Sequence, residues 1–142
     1  MSDTSHTSLF VYGTLLVPKI WNAVTGCPEL ISKPATLAGH RIAKVNGGDF
    51  PVITEDPAAK RPVPGRVVFS VPDAAVQRLD AYEDGFYERD PVSIWCEGRE
   101  MEAQAYRVPP ALAPGLFSDA PWTLEWFEAN ALEEYWNHHF GG

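Results

Sequence analysis

Thirteen prolines are spread along 142 residues, and they constrain the fold more than any other feature of the chain. Proline has no backbone N–H to donate, and its ring clashes with the preceding helical turn. Inside a helix it costs about 3 kcal/mol. The chain is therefore expected to fold into short elements joined by many turns. At this length one domain with one core is expected over residues 1–142, with 1–7 and 140–142 fraying.

Residue pattern places those elements. Ser8-Leu9-Phe10-Val11-Tyr12 is an apolar, β-favouring run that stops at Gly13 and reads as a buried strand. Pro18 opens a short helix with Ile20, Trp21 and Val24 on one side, and Gly26 ends it. A strand over Thr36 to Val45 leads to the turn Asn46-Gly47-Gly48-Asp49, and Phe50 to Thr54 forms another strand. Residues 55–64 read as loop, and Gly65 to Val71 as the clearest later strand. Pro72 starts a helix whose face carries Val76, Leu79 and Tyr82, with Gly85 beyond its end. Pro91 to Cys96 is a strand that turns at Glu97-Gly98. In the return strand Met101, Ala103 and Ala105 alternate with Glu100, Glu102, Gln104 and Tyr106, which predicts one wet face. Arg107 to Pro121 holds four prolines and reads as loop, and Thr123 caps one last helix. The sum is an α+β fold with six or seven strands and two or three helices. Because strands outnumber helices, a small barrel is expected over a doubly wound sheet.

Charge and composition exclude several classes. The net charge is −8 and the isoelectric point is near 4.8, which argues against nucleic acid or anionic lipid as the main partner. No apolar run approaches the roughly 18 residues of a membrane span, and Met1 to Ser8 has no secretory pattern. Cys27 and Cys96 are the only cysteines and read as free thiols. A cytoplasmic location is expected.

Common catalytic signatures are absent, including Gly-x-Ser-x-Gly, the phosphate-binding lysine loop and His-Glu-x-x-His. His138 and His139 are adjacent and point apart on a helix, so no metal site is expected. Spacing does not support a Cys27–His40 nucleophile pair. Two stretches carry more. Where the first strand breaks at Gly13, the following backbone N–H groups lose their ladder partners and can form a nest for a carboxylate or phosphate. A tight turn with solvated amides fits the same residues. The second stretch, Leu79 to Asp90, crowds Asp80, Glu83, Asp84, Glu88 and Asp90 at a helix C-terminus, where the dipole opposes them. Asp84, Glu88 and Asp90 read as solvated. Glu83 lies at the core edge beside Tyr82. Dipole, like charges and partial burial would all raise its pKa toward the range useful for general acid–base work. A solvated acidic turn is the alternative.

Tyr12-Gly13-Thr14-Leu15 after the first strand, together with Leu79-Asp80-Ala81-Tyr82-Glu83 and Tyr87-Glu88-Arg89, resembles the gamma-glutamylcyclotransferase superfamily, in its gamma-glutamylaminecyclotransferase-like branch. Phe50-Pro51, the Gly65 to Phe69 strand and the Trp-rich last helix add to the likeness, which covers roughly residues 8–137. The resemblance implies a small mixed barrel whose Tyr12, Gly13, Thr14 and Leu15 hold substrate through the backbone, with Glu83 as the acid–base catalyst. It implies release of 5-oxoproline from a small-molecule γ-glutamyl amine, amino acid or peptide, with no metal or cofactor. The alternatives are a same-fold enzyme acting on another γ-glutamyl conjugate, and a non-catalytic binding module. The leaving amine, the oligomeric state and the roles of Tyr87 and Arg89 are left open.

Overall fold

Five strands close into a barrel in the order β1 (His6–Val11), β5 (Val63–Pro72), β2 (Ser32–Leu37), β6 (Glu88–Cys96) and β7 (Arg99–Arg107). The computed structural model describes residues 6–83, 85 and 87–141. Neighbours in this order pair antiparallel, and β7 returns to β1 in parallel, with Leu9 opposite Gln104. That parallel closure makes the barrel mixed. A separate antiparallel ribbon is formed by β3 (His40–Lys44) and β4 (Pro51–Glu55). The Val108 N–H bonds to the Ile53 carbonyl, and the Thr54 hydroxyl donates to Val108, so the ribbon is tied to the chain leaving β7.

The run Leu9 to Tyr12 is apolar without alternation because both of its faces are covered. Phe10 and Tyr12 join the cluster inside the barrel with Leu37, Val67, Ile94 and Ala105. Leu9 and Val11 join the outer cluster, where helices α1 (Pro18–Thr25) and α2 (Asp73–Tyr82) pack with Phe127 and Tyr135. Gly26 ends α1 in the left-handed region, as its position in the sequence suggests. The Glu97-Gly98 turn has positive φ at both residues, +52° and +77°. That is the signature of a two-residue hairpin.

Several expectations need correction. The predicted strand over Thr36 to Val45 is two strands, interrupted at Gly39 with φ +73°. Among the described residues five α-helices form where two or three are expected. A short α3 (Ala113–Leu116) sits inside the proline-rich loop, where Pro114 occupies a first-turn position whose N–H would have no acceptor within the helix in any case. The last helix breaks into α4 (Leu124–Asn130) and α5 (Leu132–Phe140) at Ala131, which has φ −131°. On a straight helix Phe127 and Tyr135 would stand about 12 Å apart along the axis. The break brings their rings to 5.3 Å, edge to face. Tyr106, expected on a wet face, is buried at 4% exposure, because closure of β7 onto β1 covers that end of the strand. His6 and Thr7 belong to β1 and Phe140 to α5. Helix α2 ends at Tyr82, and Glu83 caps it with its N–H on the Leu79 carbonyl at 2.9 Å. Asp84 lies outside the described residues. Among the described residues, no helix is long and apolar enough to cross a membrane.

Candidate active site

At the end of β1 the chain leaves the barrel through Tyr12, whose buried hydroxyl donates to the Tyr106 carbonyl at 2.6 Å. The next residues form a tight 3-10 turn, with Leu16 N–H on the Gly13 carbonyl at 2.9 Å and Val17 N–H on the Thr14 carbonyl at 3.1 Å. The N–H groups of Thr14 and Leu15 open this turn and so have no acceptor within it. Gly13 has φ −124°, so no left-handed conformation demands glycine there. What demands it is space: a Cβ would lie 2.8 Å from Cγ of Pro51. Pro51 starts β4, and its carbonyl accepts the Tyr87 hydroxyl at 2.5 Å.

These elements enclose a cavity of about 220 Å³. Tyr12, Gly13, Thr14 and Leu15 form one part of its lining, and Glu83 reaches it from the end of α2. The five site residues expected from the sequence therefore share one cavity. The walls also include Phe10 and Val11 of β1, with Phe50, Pro51, Tyr82, Tyr87, Tyr106, Tyr135 and His139. Glu83, Tyr87 and Tyr106 also line a neighbouring opening that contains Asp80 and Arg89.

Burial pushes the Glu83 carboxyl up to about pKa 8. The residue as a whole keeps partial exposure, so the withdrawal concerns its carboxyl end. Of the three causes expected to raise it, burial is the one this structure supplies. Asp80 is engaged elsewhere: Arg89 donates to both its oxygens at 2.8 and 3.1 Å, and the Tyr106 hydroxyl donates at 2.6 Å. The Arg89 hydrogen bonds hold Asp80 below the usual carboxylate range. Glu88 is exposed as expected, whereas Asp90 is ion-paired with Arg107 at 2.9 Å. Burial raises the pKa of Tyr12, Tyr82, Tyr87, Tyr106 and Tyr135. The cavity at neutral pH thus presents neutral phenols around one tunable carboxyl.

Sequence reasoning missed Tyr106, Tyr135 and His139. Tyr106 reads as wet in a local alternation, and Tyr135 reads as one more residue of an apolar helical arc. His139 stacks on the Tyr135 ring at 4.0 Å, and its Nδ1 donates to the Tyr135 carbonyl at 3.0 Å. Cys27 and His40 have separate partners: the thiol contacts the Thr25 carbonyl, and the imidazole contacts Ala38 and Arg107. Among the described residues, no group of three or more His, Cys, Asp or Glu side chains could hold a metal ion.

Comparison with known proteins shows relatives in sequence and in fold. AIG2-like protein A of Arabidopsis thaliana is 31% identical over 121 residues, which cover 83% of this chain and 70% of that protein. Protein AIG2 C of the same plant is 33% identical over 93 residues, and the match spans only 54% of its length. Among solved structures, a protein of Arabidopsis thaliana determined in solution superimposes with a TM-score of 0.71 at 24% identity, covering 100% of this chain and 90% of its own. A structure titled gamma-glutamyl cyclotransferase superimposes at 0.60 with 19% identity, over 73% of this chain and 67% of that one. These superpositions show the shared fold. Residues 9–124, which contain Tyr12 to Leu15 and Glu83, match the family described as gamma-glutamyl cyclotransferase, AIG2-like, and the chain belongs to that family.

Proposed function

We propose that this protein is a γ-glutamylcyclotransferase-type enzyme that releases 5-oxoproline from a γ-glutamyl amine, amino acid or peptide. The observation that carries the reading is the convergence of Tyr12 to Leu15 and the withdrawn Glu83 carboxyl on one cavity. The α-nitrogen of the γ-glutamyl group attacks its own γ-carbon. A new C–N bond closes the lactam, and the bond to the leaving nitrogen breaks. Because the nucleophile is tethered, the substrate supplies most of the proximity. The protein's tasks are to hold the chain folded and to move protons.

The α-nitrogen arrives as an ammonium and must lose a proton before it can attack. The Glu83 carboxylate takes that proton and returns it to the leaving nitrogen. The second surplus proton follows the same route to the released amine, and the carboxylate is regenerated. Backbone N–H groups of residues 13–15 grip the substrate's carboxylate. The chemistry asks no metal or cofactor of these residues. Two free thiols, Cys27 and Cys96, fit a reducing compartment such as the cytoplasm.

Replacement of Glu83 by Gln tests the reading. It keeps the shape of the side chain and removes the proton acceptor. Turnover is expected to fall roughly 10²–10⁴-fold with the fold retained. In the parent protein only the ionised carboxylate accepts a proton, so kcat/KM should fall as pH drops through about 8. The limb on kcat should lie lower, because a bound ammonium favours the carboxylate. Near-full 5-oxoproline release by Glu83→Gln, or an acid limb unchanged in that variant, would sink the assignment. Calorimetric binding of γ-glutamyl compounds without product would favour a binding module.

A further inference from the structure

Three hydroxyls meet in the wall of the cavity. Thr14 Oγ1 and the Tyr82 hydroxyl are 2.8 Å apart, and the Tyr82 hydroxyl also contacts the Tyr135 hydroxyl. The three come from separate elements: the turn after β1, the last residue of α2 and the middle of α5. Thr14 and Tyr135 are buried, at 6% and 8% exposure, and all three residues line the cavity with Glu83. Tyr135 lies beyond residue 124, where the family match ends.

Each hydroxyl owns one hydrogen and can also accept. Thr14 also lies within electrostatic reach of Tyr135, but the two bonds through the Tyr82 hydroxyl use two hydrogens and leave one over. A phenol donates better than an aliphatic alcohol and accepts less well. The favoured order therefore runs from Tyr135 to Tyr82 to Thr14, and the surplus hydrogen is the one on Thr14. Hydrogen bonds in series polarise one another, so a Thr14 hydroxyl at the head of this chain is a stronger donor than an isolated one.

Resting on the cyclotransferase reading, we propose that the Thr14 hydroxyl donates to the oxygen that becomes negative when the γ-carbonyl is attacked, and that Tyr82 and Tyr135 position and polarise it. As the α-nitrogen bonds to the γ-carbon, the carbonyl π pair moves to oxygen. The Thr14 hydrogen bonds to that oxygen without leaving Thr14. The pair then returns to re-form C=O as the leaving nitrogen departs with the proton from Glu83. No group is oxidised or reduced. The role divides the loop's work: its backbone amides take the substrate's carboxylate, and its side chain serves the reacting oxygen.

Steady-state kinetics of hydroxyl-deletion variants test this. Thr14→Val is isosteric and lacks the donor, and kcat should fall about 10²-fold, as for loss of one oxyanion donor. KM should stay within about threefold, because the bond strengthens only in the transition state. Thr14→Ser should recover most of that loss. Tyr135→Phe should lower kcat about tenfold, and adding it to Thr14→Val should cost little more, because it acts only through Thr14. If Thr14→Val does not fold, as judged by circular dichroism, Tyr135→Phe alone carries the test. Wild-type kcat in the folded Thr14→Val or in Tyr135→Phe, or full additivity of the two losses, overturns the proposal while leaving the function standing. A parent protein that releases no 5-oxoproline from γ-glutamyl amines, amino acids or glutathione overturns the function and this proposal with it.

Discussion

At the scale of single residues, Gly13 and Glu83 are set by their neighbours. The hydrogen on Gly13 faces the Pro51 ring, and a side chain there would start 2.8 Å from Cγ and 3.1 Å from Cδ. A proline ring yields little. Gly13→Val should therefore displace Pro51, and with it the carbonyl that holds the Tyr87 hydroxyl, in the wall of the cavity. Overpacking of this kind costs about 1–3 kcal/mol of stability. Affinity for a γ-glutamyl ligand should fall by more than the roughly tenfold that corresponds to 1.4 kcal/mol. Calorimetric titration and chemical denaturation measure the two, and unchanged affinity would remove the loop from the binding site. Both positions can be singled out from the sequence, but what packs against each cannot. Like-charge repulsion looks plausible for Glu83 until Arg89 is seen to occupy Asp80 from β6.

At the scale of elements, local chemistry accounts for starts and stops. Thr123 stands before the apolar arc of Trp126 and Phe127, and its side chain accepts the Trp126 N–H at 3.1 Å. Thr123→Ala should cost about 1 kcal/mol, the ordinary price of a lost N-cap. It should appear as a lowered urea midpoint with an unchanged slope; an unchanged midpoint would mean that α4 is held by packing alone. Glu97-Gly98 is equally readable, because two residues between alternating strands leave few other turns. The break at Ala131 is not readable. The apolar arc continues on both sides of it, and only the demand that Phe127 and Tyr135 meet in one core interrupts the helix.

At the scale of the whole molecule, barrel closure gathers the site. It brings Tyr12 of the first strand's end onto the carbonyl of Tyr106 near the last strand's end, 94 residues away. It also sets β4, α2 and α5 around the same space, so the cavity belongs to no single segment. Its lining holds one carboxylate, one imidazole and many phenols, a poor donor set for a divalent ion. Exhaustive dialysis against a chelator should leave turnover unchanged, and inactivation reversed by one divalent metal would overturn the proton-transfer mechanism.

By itself the sequence determined the local events: a strand buried on both faces, glycine and proline punctuation, the Thr123 cap, the hairpin, and the two motifs around Tyr12 and Glu83. These follow from period, dihedral preference and capping, which act over a few residues. Tertiary structure alone decided which strands became neighbours, why Glu83 holds its proton to about pH 8, and that Tyr106, Tyr135 and His139 face the same cavity as Glu83. Burial is a property of what packs against a group, and here those partners arrive from parts of the chain that no local pattern connects.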